Sequence, residues 1–386
     1  MSIPRTKQPD SGWQAVEPDG RVRLLPAACI ALRLDASSCP RCRDACPVDC
    51  IEIGAGRFHV SEHCIGCGHC AATCPTGALS VKGFDALDPA PGNQPLRVEC
   101  LKVDRRIAGD ALRVPCLGGL AATDWLEMIE NTGVRAVNAI DRGWCGQCEV
   151  AAKTTGKHPA SVALEQVTQW LVAMGVPPAR LPLIVAEPLP PTLMPRRIPS
   201  DAPAAPSRRG FFLRLGGEAR RAVGIEASPA IPAPRTLRSM DLMPLPARER
   251  LHALLLRLAN NLGQPVPGEP FHALDVTDAC ANHAVCTGIC PTQALTRYAD
   301  TERAGIEFDA VRCIGCGKCG AACPEQALTL RWATVSPAMD SSVRLTAHAK
   351  RACAECLQPY FDSTDSEYCP SCRRNRAMGA VLFKGL

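Results

Sequence analysis

The sequence predicts an α+β multidomain protein: two copies of a cysteine-rich module, a small α/β domain between them, and a cysteine-paired tail. Three observations carry this. Residues 64–79 (CIGCGHCAATCPTGAL) and 313–328 (CIGCGKCGAACPEQAL) agree at eleven of 16 positions, a long-range repeat of one structural unit. Between the copies, strand-like and helix-like runs alternate over residues 96–186, the pattern of a layered α/β domain. The chain also holds 24 cysteines, spaced as repeated C-x-x-C pairs.

Composition narrows the reading of those cysteines. Apolar residues make up 46% of the chain and aromatic residues only 4%, so large aromatic cores are not expected. Metal sites can supply the folding free energy that small domains cannot obtain from burial alone. A disulfide framework fits poorly, because such frameworks belong to short secreted chains with varied spacings. The polar opening MSIPRTKQPDSGW contains no apolar signal core, and no 18-residue apolar run follows, so a cytoplasmic protein without a membrane span is expected. The net charge of +5 is spread out, and the pairs Arg105-Arg106, Arg208-Arg209 and Arg220-Arg221 are isolated. Nucleic-acid surfaces cluster such residues, so no nucleic-acid partner is expected.

Five segments follow. Residues 22–90 and 247–345 hold the two modules, 91–186 the central domain, 187–246 a linker and 346–386 the tail. In the central domain, strands are expected at Leu96–Val103, Leu112–Val114, Val134–Ile140 and Leu181–Val185. Helices are expected at Thr123–Asn131, capped by Thr123 or Asp124, and at Ala160–Met174. The stretch EPLPPTLMPRRIPSDAPAAP has seven prolines in 20 residues, which suits a semi-rigid spacer. Leu251, Leu254, Leu255 and Leu258 then recur at helical spacing, predicting a helix that packs on the following module.

Cys64, Cys67, Cys70 and Cys74-Pro75 form the run C-x-x-C-x-x-C-x-x-x-C-P, which binds iron–sulfur cubanes and sends its fourth cysteine to the neighbouring cluster. Soft anionic thiolates suit iron in a sulfide cage. Gly66 and Gly68 relieve crowding where the backbone wraps the cluster. The upstream half keeps Cys39, Cys42 and Cys46-Pro47, but Ala36 stands where the first cysteine belongs. Cys64, Cys67, Cys70 and Cys46 therefore make one complete [4Fe–4S] set. Cys39, Cys42 and Cys74 make a second that lacks one thiolate. Cys29, ten residues before Cys39, is the candidate fourth ligand and Cys50 its rival; both also suit buried free thiols.

The second copy repeats the theme. Cys313, Cys316, Cys319 and Cys323-Pro324 match fully, and Cys290 completes the set of Cys313, Cys316 and Cys319. Upstream, C-A-N-H-A-V-C-T-G-I-C-P retains Cys280, Cys286 and Cys290, with His283 at the second cysteine position. Cys280, Cys286 and Cys323 then hold either a [3Fe–4S] cluster beside an exposed histidine, or a cubane whose fourth iron takes His283. A neutral imidazole in place of a thiolate raises the reduction potential.

These motifs resemble the bacterial-type dicluster (2[4Fe–4S]) ferredoxins and the polyferredoxin-like iron–sulfur subunits of larger redox enzymes, over about residues 25–85 and 275–335. The resemblance implies two ferredoxin-like dicluster modules of two-fold βαβ-like fold and one-electron transfer. In such a family the His283 substitution is often read as a three-iron cluster.

Two cysteine groups lie outside the modules. Cys100, Cys116, Cys145 and Cys148 fall at or after the ends of predicted strands, where α/β sheets place their ligand crevice. A further cluster, a structural zinc or a Cys145–Cys148 dithiol all fit. The phrases VPCLGGL and DRGWCGQC are similar to central domains of bacterial proteins carrying extra iron–sulfur centres. Cys353-x-x-Cys356 and Cys369-x-x-Cys372, twelve residues apart, resemble a zinc ribbon; rubredoxin-type iron is the alternative, and zinc suits a short tail needing a staple. SRRGFFL at 207–213 resembles a twin-arginine export signal, but it lies mid-chain without an apolar core.

No nucleotide-binding glycine loop, flavin motif or Ser–His constellation is present. The expectation is a non-catalytic electron-transfer subunit with four or five cluster sites and one zinc. It would serve a molybdenum oxidoreductase, a formate dehydrogenase or a hydrogenase. Sulfur or disulfide chemistry at the central cysteines, and redox sensing or assembly, are the alternatives.

Overall fold

The computed structural model describes residues 12–382 except 18, 35, 55, 85–93, 134–135, 154–155, 196–230, 233–241, 335–341 and 362–365. The twin-arginine-like segment and most of the proline-rich stretch lie outside the described residues. Two compact units form, residues 1–264 and 265–386.

In the first unit, the N-terminal module has strands β1 (Val22–Leu24), β2 (Ile51–Gly54), β3 (Arg57–Val60) and β4 (Leu79–Val81), and one-turn helices α1 (Arg41–Asp44) and α2 (His69–Ala72). β1 pairs antiparallel with β4, and β2 with β3. Each strand–helix–strand half thus contributes one strand to each pair, as a duplicated motif requires. Val22, Leu24, Phe58, Val60, Leu79 and Val81 point inward and meet a core rich in cysteine.

The central domain runs β5 (Leu96–Cys100), β6 (Leu112–Val114), α3 (Ala122–Thr132), β7 (Val137–Asp141), α4 (Ser161–Ala173) and β8 (Leu183–Ala186). All four strands are parallel, in the order β6-β5-β7-β8. The order reverses between β5 and β7, and a crevice opens at the carboxyl ends beside such a reversal. Helix α3 buries Trp125, Leu126, Met128 and Ile129. Each such side chain stabilises the domain by roughly 1.5–3 kcal/mol. Asp124 sits at the third helical position and accepts from Ala121 N at 2.8 Å, so neither it nor Thr123 is the N-cap itself.

Two expectations about boundaries change. Residues 187–194 belong to the central domain rather than to a linker. Glu187 binds Arg97 at 2.6 Å and Arg142 at 3.0 Å, and Trp144 Nε1 donates to Leu189 O at 3.0 Å. Helix α5 (Pro246–Leu262) belongs to the first unit and packs on α3. Its leucine stripe specified burial but not the partner. Charge does the selecting: Arg250 pairs with Asp124 at 2.8 Å and with Glu127, and Arg257 pairs with Glu130 at 2.6 Å.

The second unit repeats the module as β9 (His272–Val276), α6 (Val285–Ile289), β10 (Leu295–Ala299), β11 (Arg303–Phe308), α7 (Lys318–Ala321) and β12 (Leu328–Trp332). β9 pairs with β12 and β10 with β11, both antiparallel. The tail is not a separate body: β13 (His348–Ala352) pairs with β11, and β14 (Pro359–Phe361) with β13. Helix α8 (Pro370–Leu382) closes the chain.

Beneath the central crevice, Glu99 is fully buried and held by Arg142 at 2.5 Å and Arg97 at 3.1 Å. Removing one partner of a buried ion pair strands the other charge, at about 3–5 kcal/mol. Glu187 still holds both arginines in Glu99→Ala, so that variant should destabilise the central domain by less, about 1–3 kcal/mol. Denaturant titration of the full chain, followed by fluorescence of Trp125, Trp144 and Trp170, measures it.

Candidate metal centres

The N-terminal module surrounds two small cavities. Cys46, Cys50, Cys64, Cys67 and Cys70 line the first. Cys29, Cys39, Cys42 and Cys74 line the second. The downstream cassette thus points three thiols one way and Cys74 the other. Cys29 thus lines one cavity with Cys39, Cys42 and Cys74, and Cys50 lines the other with Cys46, Cys64, Cys67 and Cys70.

Cys50 has a different role there. Its Sγ is 3.4 Å from that of Cys46, and it also hydrogen-bonds Cys64. Those bonds push the Cys50 thiol far up, so it keeps its proton and donates it. Cys46 correspondingly falls to about 6 and Cys64 to about 7, the hydrogen bond with Cys50 being the first cause of each, with one thiol proton shared between the two sulfurs. Burial pushes Cys29 up to about 11 and Cys42 and Cys67 up to about 12. With no cation, those sites hold neutral thiols; a cluster's iron charge is what makes thiolates of them.

Cys100 ends β5, Cys116 follows β6, and Cys145 and Cys148 follow β7, so all four gather at the carboxyl-end crevice. Burial raises Cys100 to about 11 and Cys145 to about 12. A zinc ion with four thiolates at about 2.3 Å needs sulfurs about 3.8 Å apart. Among the described residues, the groups of three or more ligand atoms within 4.8 Å of one another are the tail cysteines and Asp141 with Cys145 and His158. The four central cysteines do not close to zinc spacing; each thiolate of a polynuclear cluster binds its own iron and needs no such closeness.

Three residues of this region gave no sequence signal. Asp141 and His158 flank Cys145, and Ala160 N donates to His158 Nδ1 at 3.2 Å. His69, a variable position inside the first cassette, places Nε2 3.5 Å from Cys116 Sγ. Cys67, Cys116 and Cys148 share one apolar cluster with Ile65 and Val150. The first cubane set and the central crevice therefore have a common wall.

In the second unit, Cys280, Cys286, Cys290, Cys313, Cys319 and Cys323 line one core. Cys316 is exposed. His283 Nδ1 lies 3.0 Å from Glu325 Oε1, a partner the sequence did not single out. In the tail, Cys353, Cys356, Cys369 and Cys372 lie within 4.8 Å of one another, with Cys356 and Cys369 sulfurs 3.8 Å apart. That is tetrahedral spacing.

Duplicated strand–helix–strand halves around converging thiols define an iron–sulfur electron-transfer protein. Residues 272–332 match the 4Fe-4S dicluster domain family, and residues 59–80 the 4Fe-4S binding domain family. The chain is 40% identical over 62 residues to Ferredoxin 7Fe of Hydrogenibacillus schlegelii, covering 16% of this chain and 73% of that protein. It is 41% identical over 61 residues to the formate dehydrogenase iron-sulfur subunit of Wolinella succinogenes, covering 15% of this chain and 28% of that subunit. It is 37% identical over 76 residues to the putative electron transport protein YsaA of Escherichia coli, spanning 46% of it. The chain belongs to the dicluster ferredoxin family. Among the described residues, no helix is long and apolar enough to cross a membrane.

The two cavities separate the rival thiols experimentally. Cys29→Ser should lose the iron of the second N-terminal site, about three to four irons per chain. Cys50→Ala should keep its iron but lower the potential of the first site, since a hydrogen bond to the ligand sulfurs is gone. Iron and sulfide quantitation with a redox titration reads both.

Proposed function

We propose that this chain is a multi-cluster relay, carrying single electrons to or from a partner oxidoreductase. The shared wall carries the reading. Sulfur sites follow one another within the first unit: the Cys29, Cys39, Cys42 and Cys74 set, then the Cys46, Cys64, Cys67 and Cys70 set, then the central crevice across His69 and Cys116. Proteins that merely store clusters need no such contiguity. Iron–sulfur centres supply the one-electron couple; the chain's own residues set their order, burial and hydrogen bonding.

At the central crevice, Cys100, Cys116, Cys145 and Cys148 hold a further cluster. No three of their sulfurs lie within 4.8 Å of one another, which opposes zinc. A reactive Cys145–Cys148 dithiol is opposed by Cys145 being pushed up to about 12 by burial, because the nucleophile in such pairs is a thiolate of lowered pKa. In the second unit, Cys290, Cys313, Cys316 and Cys319 hold one cubane, and Cys280, Cys286 and Cys323 a second cluster. Cys353, Cys356, Cys369 and Cys372 hold a structural zinc, which pins β13 and β14 to the end of the module's sheet. The likeness to a formate dehydrogenase subunit supports a partner of that class, with other molybdenum oxidoreductases and hydrogenases as related choices; the expected site of action is the cytoplasm.

Anaerobic purification with iron, sulfide and zinc quantitation, followed by redox-titrated electron paramagnetic resonance, tests the relay. About sixteen irons or more, several reversible one-electron couples and one zinc are expected, from cubane stoichiometry at each cassette. A redox-silent protein overturns it. Cys356→Ser should release the zinc alone and speed hydrogen exchange over 348–372, with the iron count unchanged.

A further inference from the structure

His283 occupies the place of a cluster ligand in backbone as well as in sequence. In the complete loops the residues flanking the second cysteine are glycines with positive φ: Gly66 at 66° and Gly68 at 81°, Gly315 at 68° and Gly317 at 69°. Around His283 the corresponding residues are Asn282 at 54° and Ala284 at 57°. The loop keeps the cluster-wrapping conformation although neither residue is glycine. An alanine in the left-handed region meets a steric penalty from its Cβ. A loop released from its ligand duty would be free to relax out of that region.

The imidazole is also oriented. Glu325 Oε1 sits 3.0 Å from His283 Nδ1, so Nδ1 carries the proton and donates it. The Nε2 lone pair is then the ring's free donor to a metal. Metal-bound histidines regularly give their other N–H to a carboxylate, which fixes the tautomer and makes the ring a better ligand. Glu325 follows Cys323-Pro324 directly, and its other oxygen lies 3.8 Å from Cys323 Sγ, a cysteine of this same set. The equivalent positions after the other three Cys-Pro pairs are Val48, Thr76 and Thr292. The carboxylate thus occurs where the histidine does. Partial exposure of His283, at 37%, agrees with the position: its counterpart Cys316 is exposed too.

We propose that His283 binds the fourth iron through Nε2, so that Cys280, Cys286, Cys323 and His283 hold a [4Fe–4S] cluster, with Glu325 as the positioning residue. This rests on reading the second unit as a dicluster carrier, and it departs from a three-iron site at this position.

The test uses the anaerobically purified full chain. An oxidised [3Fe–4S] cluster is paramagnetic, whereas an oxidised [4Fe–4S] cluster is silent. Wild-type protein should show no three-iron signal, and nitrogen-isotope labelling of histidine should reveal a strongly coupled nitrogen on the reduced cluster. His283→Ala should lose one iron per chain, lose that coupling and gain the three-iron signal. His283→Cys should keep the iron, lose the coupling and titrate at lower potential, which guards against a loop that simply fails to fold in the alanine variant. Glu325→Gln should keep the iron and shift the potential upward, because the ring loses its anionic partner. A three-iron signal in wild type without nitrogen coupling overturns the proposal while leaving the relay intact. An unchanged potential in Glu325→Gln overturns the positioning role. Absence of any reversible couple would instead overturn the relay.

Discussion

Thiolate ligation to iron is the interaction on which the other packing depends. The buried core of the N-terminal module contains Cys29, Cys42, Cys46 and Cys50, with Cys39, Cys64, Cys70 and Cys74 packed against it. The second unit's core repeats this with Cys280 and Cys286. Sulfur occupies the places where larger domains put aromatic rings, and this chain has few of those. Burial drives several of these thiols well above their ordinary range, so a proton stays on each until a cationic centre replaces it. On the reading that these thiols hold clusters, folding and cluster assembly are one equilibrium in these modules, as in other small metal-dependent domains.

The same constraint explains how the central domain docks. Its turn Leu117–Gly119 lies directly on the first cassette. A Cβ on Gly119 would stand 2.2 Å from Cys67 O, and one on Gly118 would stand 2.5 Å from His69 Nε2. Two glycines in the VPCLGGL phrase are thus explained by close approach to a cluster-wrapping loop, not by any ligand of their own. Helix α5 reinforces the docking from the other side. It runs from Ala247, whose N–H donates to Thr76 O beside the cassette, to the arginines that grip α3. The central domain and α5 are thus tied to ligand-bearing loops at Leu117–Gly119 and at Ala247.

Spacing made much of this legible. The downstream cassettes, the parallel central strands and the four tail cysteines all follow from local pattern, because ligand loops and strands are local objects. Helix α3 at Ala122–Thr132 lies within two residues of its expected bounds. What pattern could not carry was partner choice. Cys29 and Cys50 were interchangeable as residues ten before Cys39 and four after Cys46; only the direction of α1 and of the chain into β2 separates their cavities. The leucine stripe of α5 fits any apolar face, and its true partner was written in charge, with Arg250 and Arg257 against Asp124, Glu127 and Glu130. His69 and Glu325 fell at positions the motif leaves variable, so their roles appear only once a neighbouring element is in place.

The departures from a fully regular ligand pattern have a common physical consequence. Reduction adds negative charge to a cluster, so hydrogen bonds to its sulfurs and neutral ligands raise its potential. In the first unit, the Cys46 set receives the Cys50 hydrogen bonds and the Cys29 set does not. On the relay reading, an electron entering at the Cys29 set would then move downhill to the Cys46 set, the one that shares a wall with the central crevice. His69, its ring kept neutral by burial and its Nε2 at Cys116, adds no charge at that junction. A neutral histidine preserves the gradient where a lysine or glutamate would distort it. On the proposed ligation of the second unit, the His283 imidazole would do for one site what Cys50 does in the first, by removing a ligand charge instead of screening it. Read so, two copies of one module acquire internal direction by different substitutions, and neither alters the cassette that makes them recognisable.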